Sequence, residues 1–257
     1  MEIETYILVI LCVASFIAGF VDAIVGGGGL IQTPVALIVL PNLSVASIIG
    51  TLKIPGFSGT SVATIQYLRK VKVEWKLFGI MALVSFIFAY MGSSLLNVMQ
   101  NNFMKPVLFI ILVLLLVYTY VKKDFGQFQI TTLSTKRKYI YAILICVFIG
   151  FYDGFIGPGT GSLLIIAFVG ILGFDFLQAS TNAKLVNLAT NIGSITLFVI
   201  KGKIVWAVAI PMAVCNATGA FIGARLAISK GNAFIRVFFL VIVAVTLIRF
   251  GYDVFMK

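Results

Sequence analysis

An aspartate followed by closely spaced glycines, set in a long apolar stretch, occurs twice in this 257-residue chain. The first copy runs from Gly19 to Pro34 (GFVDAIVGGGGLIQTP) and the second from Gly150 to Ser162 (GFYDGFIGPGTGS). Asp22 matches Asp153, Gly26 matches Gly157 and Gly28 matches Gly159, at a constant offset of 131 residues (150 minus 19). Glycine ends a regular helix easily, and a break exposes backbone N–H and C=O groups. Within hydrocarbon each such group costs several kcal/mol unless it faces protein or a water-filled cavity.

Hydrocarbon is the relevant solvent. The chain is 61% hydrophobic and 11% charged, with a mean hydropathy of +1.15. A soluble domain is about half apolar. Several runs reach the ~20 residues that a helix needs to span a bilayer, and the short alternating segments of a barrel are absent. The expected fold is therefore all-α, a polytopic transmembrane helical bundle. Its net charge of +11 does not imply nucleic acid, because most of the positive residues fall in short loops between apolar runs, where they set orientation and meet anionic lipid. Cys12, Cys146 and Cys215 stand singly in apolar segments, without metal-ligand spacing, and read as small core residues. The acidic start, residues 1–5, lacks the basic region of a signal peptide, so the first run is expected to remain as a membrane helix.

The apolar runs are 6–25, 30–40, 44–68, 77–96 and 106–121, the second too short to span alone. Two basic stretches, 69–76 and 122–138, separate them. The offset of 131 persists beyond the glycines. It places Lys53 on Lys184, Lys70 on Lys201, Lys72 on Lys203, Trp75 on Trp206, Gly92 on Gly223, Asn101 on Asn232 and Phe103 on Phe234. This pattern predicts two tandem repeats of about five hydrophobic segments each: residues 1–125, a cytoplasmic linker at 126–138, and residues 139–257. An odd number of crossings per half makes the repeats inverted. The two basic stretches are separated by two spans and so share the cytoplasmic side, which puts the N-terminus outside. The inverted arrangement leaves Lys201 and Lys203 outside, against the charge rule, and Arg225, Lys230 and Arg236 inside, in its favour. Two forms of the glycine break remain open: the short segment completes a crossing, or the chain turns back as a re-entrant hairpin.

Three sets of residues are candidates for a site. Asp22 and Asp153 are ionisable groups within membrane segments, which are costly and functional by default. Each reads as a proton carrier, as the partner of a lysine, or as a cap for the broken helix. Gly26, Gly28, Gly157 and Gly159 let a substrate approach the main chain. The helices that follow them present free N–H groups and a positive dipole end to an anion. The plainer alternative is close helix packing on small residues. Lys53 lies nine residues into its run, roughly 14 Å deep at ~1.5 Å per residue, too deep for easy snorkelling. Lys184, Asn187, Asn191 and Ser194 fall on one narrow helical face, whereas the matching positions Lys53, Gly56, Thr60 and Ala63 are less polar. Pro55 is expected to kink its helix. Gln32, Gln66 and Gln178 are weaker candidates, and Trp75 and Trp206 are expected interfacial anchors.

These residues resemble a known pattern. Gly19-x-x-Asp22-x-x-x-Gly26 with the glycines that follow, Pro34, and Gly50-Thr-Leu-Lys53 are similar to the TauE/SafE family of sulfite and organosulfur anion exporters. The second half, with Ala183-Lys-Leu-Val-Asn187, Gly202-Lys-Ile-Val-Trp206 and Gly223-Ala-Arg-Leu226, resembles the YfcA-like branch, whose cargo the resemblance does not name. Leu52 departs from the Thr-Asn-Lys common in the family. The resemblance implies a multi-pass secondary transporter of a small anion in the inner membrane of a prokaryote, working without cofactor or metal. An anion channel or a structural membrane protein is the alternative. An enzyme is not expected: the chain has no His, and no Ser, Cys or Thr has an activating base at helical spacing. The expected partners are a small anionic substrate and the lipid bilayer, with no nucleic acid.

Overall fold

The computed structural model describes residues 4–100 and 133–255, with side chains described as far as Lys230. The expected span at 106–121, most of the expected linker, Asn101 and Phe103, and the side chains of Asn232, Phe234, Arg236 and Arg249 lie outside that description. Among the described residues there are eight helices and no strand. They are α1 (Thr5–Val25), α2 (Gly29–Val39), α3 (Val45–Leu68), α4 (Trp75–Val98), α5 (Thr135–Phe155), α6 (Thr160–Gly170), α7 (Phe176–Ile200) and α8 (Trp206–Phe255). Helix starts keep the offset seen in the sequence: Gly29 and Thr160, Val45 and Phe176, Trp75 and Trp206.

Local sequence explains most boundaries. The Ser44 hydroxyl accepts the Ser47 N–H to start α3, and the Asp175 carboxylate accepts the N–H groups of Leu177 and Gln178 to start α7. Gly26, in the left-handed region at φ 76°, ends α1. α3 runs unbroken through Pro55. The break between α5 and α6 falls at Gly157 and Gly159, both at positive φ. α5 begins at Thr135, inside the stretch expected to be linker, so Lys136, Arg137 and Lys138 occupy its first turn. Long basic side chains tolerate that position by reaching out to the interface.

Five of the helices are long and apolar enough to cross a membrane: α1, α4, α5, α7 and the Trp206–Lys230 part of α8. Their outer faces carry Val9, Val13, Leu83, Ile87 and Phe148, the last 70% exposed. So much exposed apolar surface fits lipid and not water. α3 is equally long but is interrupted by Gly, Ser, Thr and Lys53. It is the most enclosed of the first-half helices, and its polar groups face protein.

α2 does not continue onward from α1. Leu11, Ala36, Leu40 and Ile48 share one apolar cluster, while Val25, Ala63 and Tyr67 share another. α2 therefore returns alongside α1, and α3 sets out again in the direction of α1. The same holds for α5 and α6, where Ala142 and Cys146 pack with Phe168 and Leu172. Each glycine break is thus the tip of a helical hairpin. The halves interlock: α1 packs along α8 and α4 along α5. Gly19 abuts Asn216 and Gly223 abuts Phe20; at the equivalent positions Gly150 abuts Ser85 and Gly92 abuts Phe151. Contacts advance along both members of each pair together, so the members of each pair run parallel. On one surface Glu74 accepts from the Lys138 ammonium at 2.6 Å and the Tyr139 hydroxyl at 3.0 Å, tying the 69–74 loop to the start of α5. The Lys138 hydrogen bond holds the Glu74 carboxyl below its ordinary range. This tie is fully present at neutral pH and is lost as pH falls through the lowered value. Both partners are partly in water, so it is worth under about 1 kcal/mol.

The two hairpin tips meet backbone to backbone at Gly26 and Gly161. The Ser162 N–H donates to the Gly26 carbonyl at 3.0 Å, and the Ser162 hydroxyl to the Val25 carbonyl at 2.9 Å. A Cβ on Gly161 would run into the Gly26 backbone, whereas one on Gly79, within α4, would meet nothing. Helix propensity favours Ala over Gly at both positions. Gly161→Ala should nevertheless lower stability by about 1–3 kcal/mol through overpacking, with Gly79→Ala neutral or slightly stabilising. Thermal unfolding of the two variants in detergent checks this, and equal melting temperatures would contradict the tip-to-tip contact.

Candidate functional site

Asp22 sits in the last turn of α1 and closes its own break. Its carbonyl accepts the Gly26 N–H at 2.8 Å, and its Oδ1 accepts the Gly28 N–H at 3.2 Å, fastening the start of α2 to the end of α1. That is the capping role considered for it from sequence. Asp153, the matching residue in α5, behaves differently. The break beyond it is held by the Ile156 N–H on the Tyr152 carbonyl at 2.8 Å and by the Tyr152 hydroxyl on the Pro158 carbonyl at 2.6 Å. The Asp153 carboxylate is left to meet a lysine.

The lysines cross between halves. Lys53, 6% exposed, places Nζ 2.9 Å from Asp153 Oδ2 and donates to the Asp153 carbonyl at 2.7 Å. Lys184, 3% exposed, donates to the Asp22 carbonyl at 2.9 Å and lies over the Tyr67 ring at 5.2 Å. An unpartnered ammonium would be very costly at this burial. Each lysine therefore caps the C-terminal end of the other half's broken helix, where the last carbonyls and the negative dipole end lie. The two are chemically unequal: Lys53 has a carboxylate partner, whereas Lys184 rests on a carbonyl because the Asp22 carboxylate is turned to Gly28.

A cavity of about 80 Å³ lies between the tips. Lys53, Asp22, Asp153, Asn187 and Asn191 line it, together with the predicted glycines Gly26, Gly28, Gly157 and Gly159. Lys184 stands outside it, in a narrow crevice with Ile165 and Ala183 behind Asp22. Asn187 borders both spaces, and its Oδ1 accepts from Asn191 Nδ2 at 2.8 Å. Ser194 is buried further along α7, and Gln66 and Gln178 do not reach the cavity. Among the described residues no acceptor takes the N–H groups of Gly29 and Gly161, two donors at the starts of the inner helices. The Ser162 N–H, in the first turn of α6, is bonded to the Gly26 carbonyl.

Two lining residues escaped prediction or were ranked low. Asn216 is on α8 and Gln32 on α2, each 4% exposed. Asn216 is flanked mostly by apolar residues, and the one available sign was an amide within a membrane-length stretch. The cavity suits a cargo of a few heavy atoms, since pockets for drug-sized ligands run to ~300–1,000 Å³. Its donors are an ammonium, side-chain amides and helix-start N–H groups, the set that binds oxyanions.

Comparison with known proteins identifies the family. Residues 11–250 match the family model described as sulfite exporter TauE/SafE. A probable membrane transporter protein, ORF9, of a Sinorhizobium species is 35% identical over 247 residues, covering 96% of this chain and 92% of the relative. A probable membrane transporter protein of Haemophilus influenzae is 34% identical, covering 92% and 91%. The probable membrane transporter protein YfcA of Escherichia coli is 31% identical, covering 98% and 92%. No solved structure matches the chain. With five membrane-length helices, two charged hairpin tips and relatives matched almost end to end, this chain belongs to the TauE/SafE sulfite exporter family of membrane transporters.

Proposed function

We propose that the protein is a secondary transporter of a small oxyanion such as sulfite or a sulfonate. On this reading it lies in the inner membrane of a prokaryote and works by alternating access around the two hairpin tips. The observation that carries it is the reciprocal crossing of buried lysines: Lys53 to the carboxylate and carbonyl of Asp153, and Lys184 to the carbonyl of Asp22. Helix starts at a fixed offset and interlocked, exchanged contacts support reading the halves as repeats. α1, α3 and α8 run one way and α4, α5 and α7 the other, which supports an inverted pair. The hairpins favour the re-entrant form, with α1 and α2 entering and leaving on one side.

The inequality of the lysines supports alternation. Lys53 borders an open cavity, whereas Lys184 is shut in a crevice. Exchanging the roles of the two halves would open the Lys184 side and close the Lys53 side, the rocking expected of inverted repeats. In the state seen here the anion competes with the Asp153 carboxylate for Lys53. The empty site holds two lysines and two aspartates and is neutral. An entering anion makes it negative in a medium that penalises charge, and a proton on Asp22 or Asp153 restores neutrality. This is the basis for proton coupling.

Three tests follow from the reading. Lys53→Met and Lys184→Met should each weaken sulfite binding tenfold or more, from loss of a charge-assisted bond of about 1.5–3 kcal/mol. If titration calorimetry on both folded variants gives wild-type affinity, the site assignment is wrong. Asp22→Asn keeps an oxygen for the Gly28 N–H, so the hairpin should stay closed while anion transport driven by a pH gradient in proteoliposomes falls sharply. Wild-type transport indifferent to the gradient would end the coupling proposal. Finally, in a variant lacking the native cysteines, single cysteines at the equivalent positions Lys72 and Lys203 should be labelled from opposite faces of the membrane by an impermeant reagent. Labelling from the same face would exclude the inverted arrangement.

A further inference from the structure

Gln32 and Asn216 form an arrangement that the charge pairs do not use. Asn216 Nδ2 lies 3.0 Å from the Ser15 carbonyl, 3.3 Å from the Ser15 hydroxyl and 3.2 Å from Gln32 Oε1. The Ser15 hydroxyl in turn donates to the Met212 carbonyl at 2.8 Å. These contacts fix both amide orientations. A backbone carbonyl accepts and cannot donate, so the Asn216 atom facing Ser15 must be the amide nitrogen. That nitrogen also faces Gln32, so the Gln32 atom turned to it must be the oxygen. The Gln32 nitrogen, with two N–H groups, is directed elsewhere.

No acceptor among the described residues takes those two N–H groups, although Gln32 is 4% exposed and lines the cavity. A donor that lines a cavity is satisfied only by what enters it, a ligand or water. The protein also gives up side-chain volume to keep Asn216 in place: a Cβ at Gly19 or at Gly59 would collide with it. The arrangement occurs at only one of the two places that the offset relates, where α8 of the second half meets the first hairpin. The equivalents of Gln32, Asn216 and Ser15, at the offset of 131, are Leu163, Ser85 and Cys146.

We propose that Gln32 is a specificity-determining residue. Its amide N–H groups bind an oxygen of the cargo while Lys53 holds the charge, and Asn216, anchored on Ser15, is the positioning residue that aims them. The proposal rests on the anion site above and deepens it. It assigns the preferred cargo to anions with several acceptor oxygens, and it places the discrimination against monatomic anions at the first-half end of the cavity.

The test is a binding titration of purified protein with sulfite, methanesulfonate and acetate, and with bromide as a monatomic anion. A hydrogen bond to a charged acceptor corresponds to roughly tenfold to a hundredfold in affinity. Gln32→Met keeps the length of the side chain, and Gln32→Leu copies the other half. Either should lose at least about tenfold in affinity for the oxyanions that bind wild type, with bromide unchanged. Asn216→Ser, which copies Ser85, should lower the ratio of oxyanion to bromide affinity by a smaller factor, an effect that loosened packing alone would not produce. Unchanged oxyanion affinity in a folded Gln32 variant overturns the proposal, as does an equal loss for oxyanions and bromide. Wild type binding none of the three oxyanions also overturns it. Failure of the underlying anion site looks different: Lys53→Met and Lys184→Met would then leave every affinity unchanged.

Discussion

Two broken helices meet tip to tip in the interior of an apolar bundle, and neither tip is viable without the other. A helix end in hydrocarbon leaves carbonyls and N–H groups that nothing in lipid can satisfy. Here the partners come from the opposite hairpin or from a helix of the opposite half. Ser162 serves the Val25 and Gly26 carbonyls, Lys184 serves the Asp22 carbonyl, and Lys53 serves the Asp153 carbonyl. The glycines follow from this. Gly26 and Gly161 touch through their backbones, and a side chain on either would push the partners out of hydrogen-bonding reach. The interlocked packing of α1 with α8 and α4 with α5 then holds the tips together from outside.

The same requirement leaves a polar cavity, the binding site of the proposed reading. Groups placed to satisfy broken backbone are donors and acceptors at depth, in a space too constrained to fill with side chains. Where they are mutually satisfied, as around Lys184, the space closes. Around Lys53 the arrangement includes a carboxylate that an external anion can replace, and the space remains open. Structure and function therefore draw on one set of residues. On the proposed reading, the structural role of Lys53 as an ion-pair partner and its role as a ligand group are two states of the same contact.

Much of this was legible in sequence because hydrocarbon is an intolerant solvent. Charges and glycines survive there for definite reasons, so Asp22, Asp153, Lys53, Lys184 and the glycine motifs identified themselves. Direction and partnership were less legible. The length of α2 showed that it was too short to cross, but its return along α1 depends on Leu40 reaching the level of Leu11 and Ile48, a tertiary fact. Likewise, the constant offset relates Asp22 to Asp153 and Lys53 to Lys184. It contains nothing to say whether lysine and aspartate pair within a half or across. Helical spacing put Asn187, Asn191 and Ser194 on one face of α7; Asn187 and Asn191 line the cavity, and Ser194 lies beyond it because the cavity is shorter than the polar stripe. Asn216 and Ser15 were missed because each is a small uncharged polar residue with mostly apolar neighbours in sequence. Their meaning lies in an encounter between positions 201 residues apart.

Departure from symmetry is the remaining step. Two equivalent hairpins offer an anion two equivalent ends, and a cargo with charge spread evenly has no reason to prefer one. The amide system of Ser15, Gln32 and Asn216, set against Cys146, Leu163 and Ser85, makes the ends different. One end can now recognise oxygen, while the other can recognise little beyond charge. Alternation between such ends binds the cargo more tightly on one side of the membrane than on the other. A difference in affinity between the two conformations does not change the overall driving force, which is set by the gradients. It does decide which conformation the cargo stabilises, since a ligand shifts a two-state equilibrium only by its differential affinity. On the proposed reading, a transporter built from two related halves acquires a cargo-dependent preference for one facing through a few differences around one hairpin, without disturbing the crossed lysine contacts that hold both tips together.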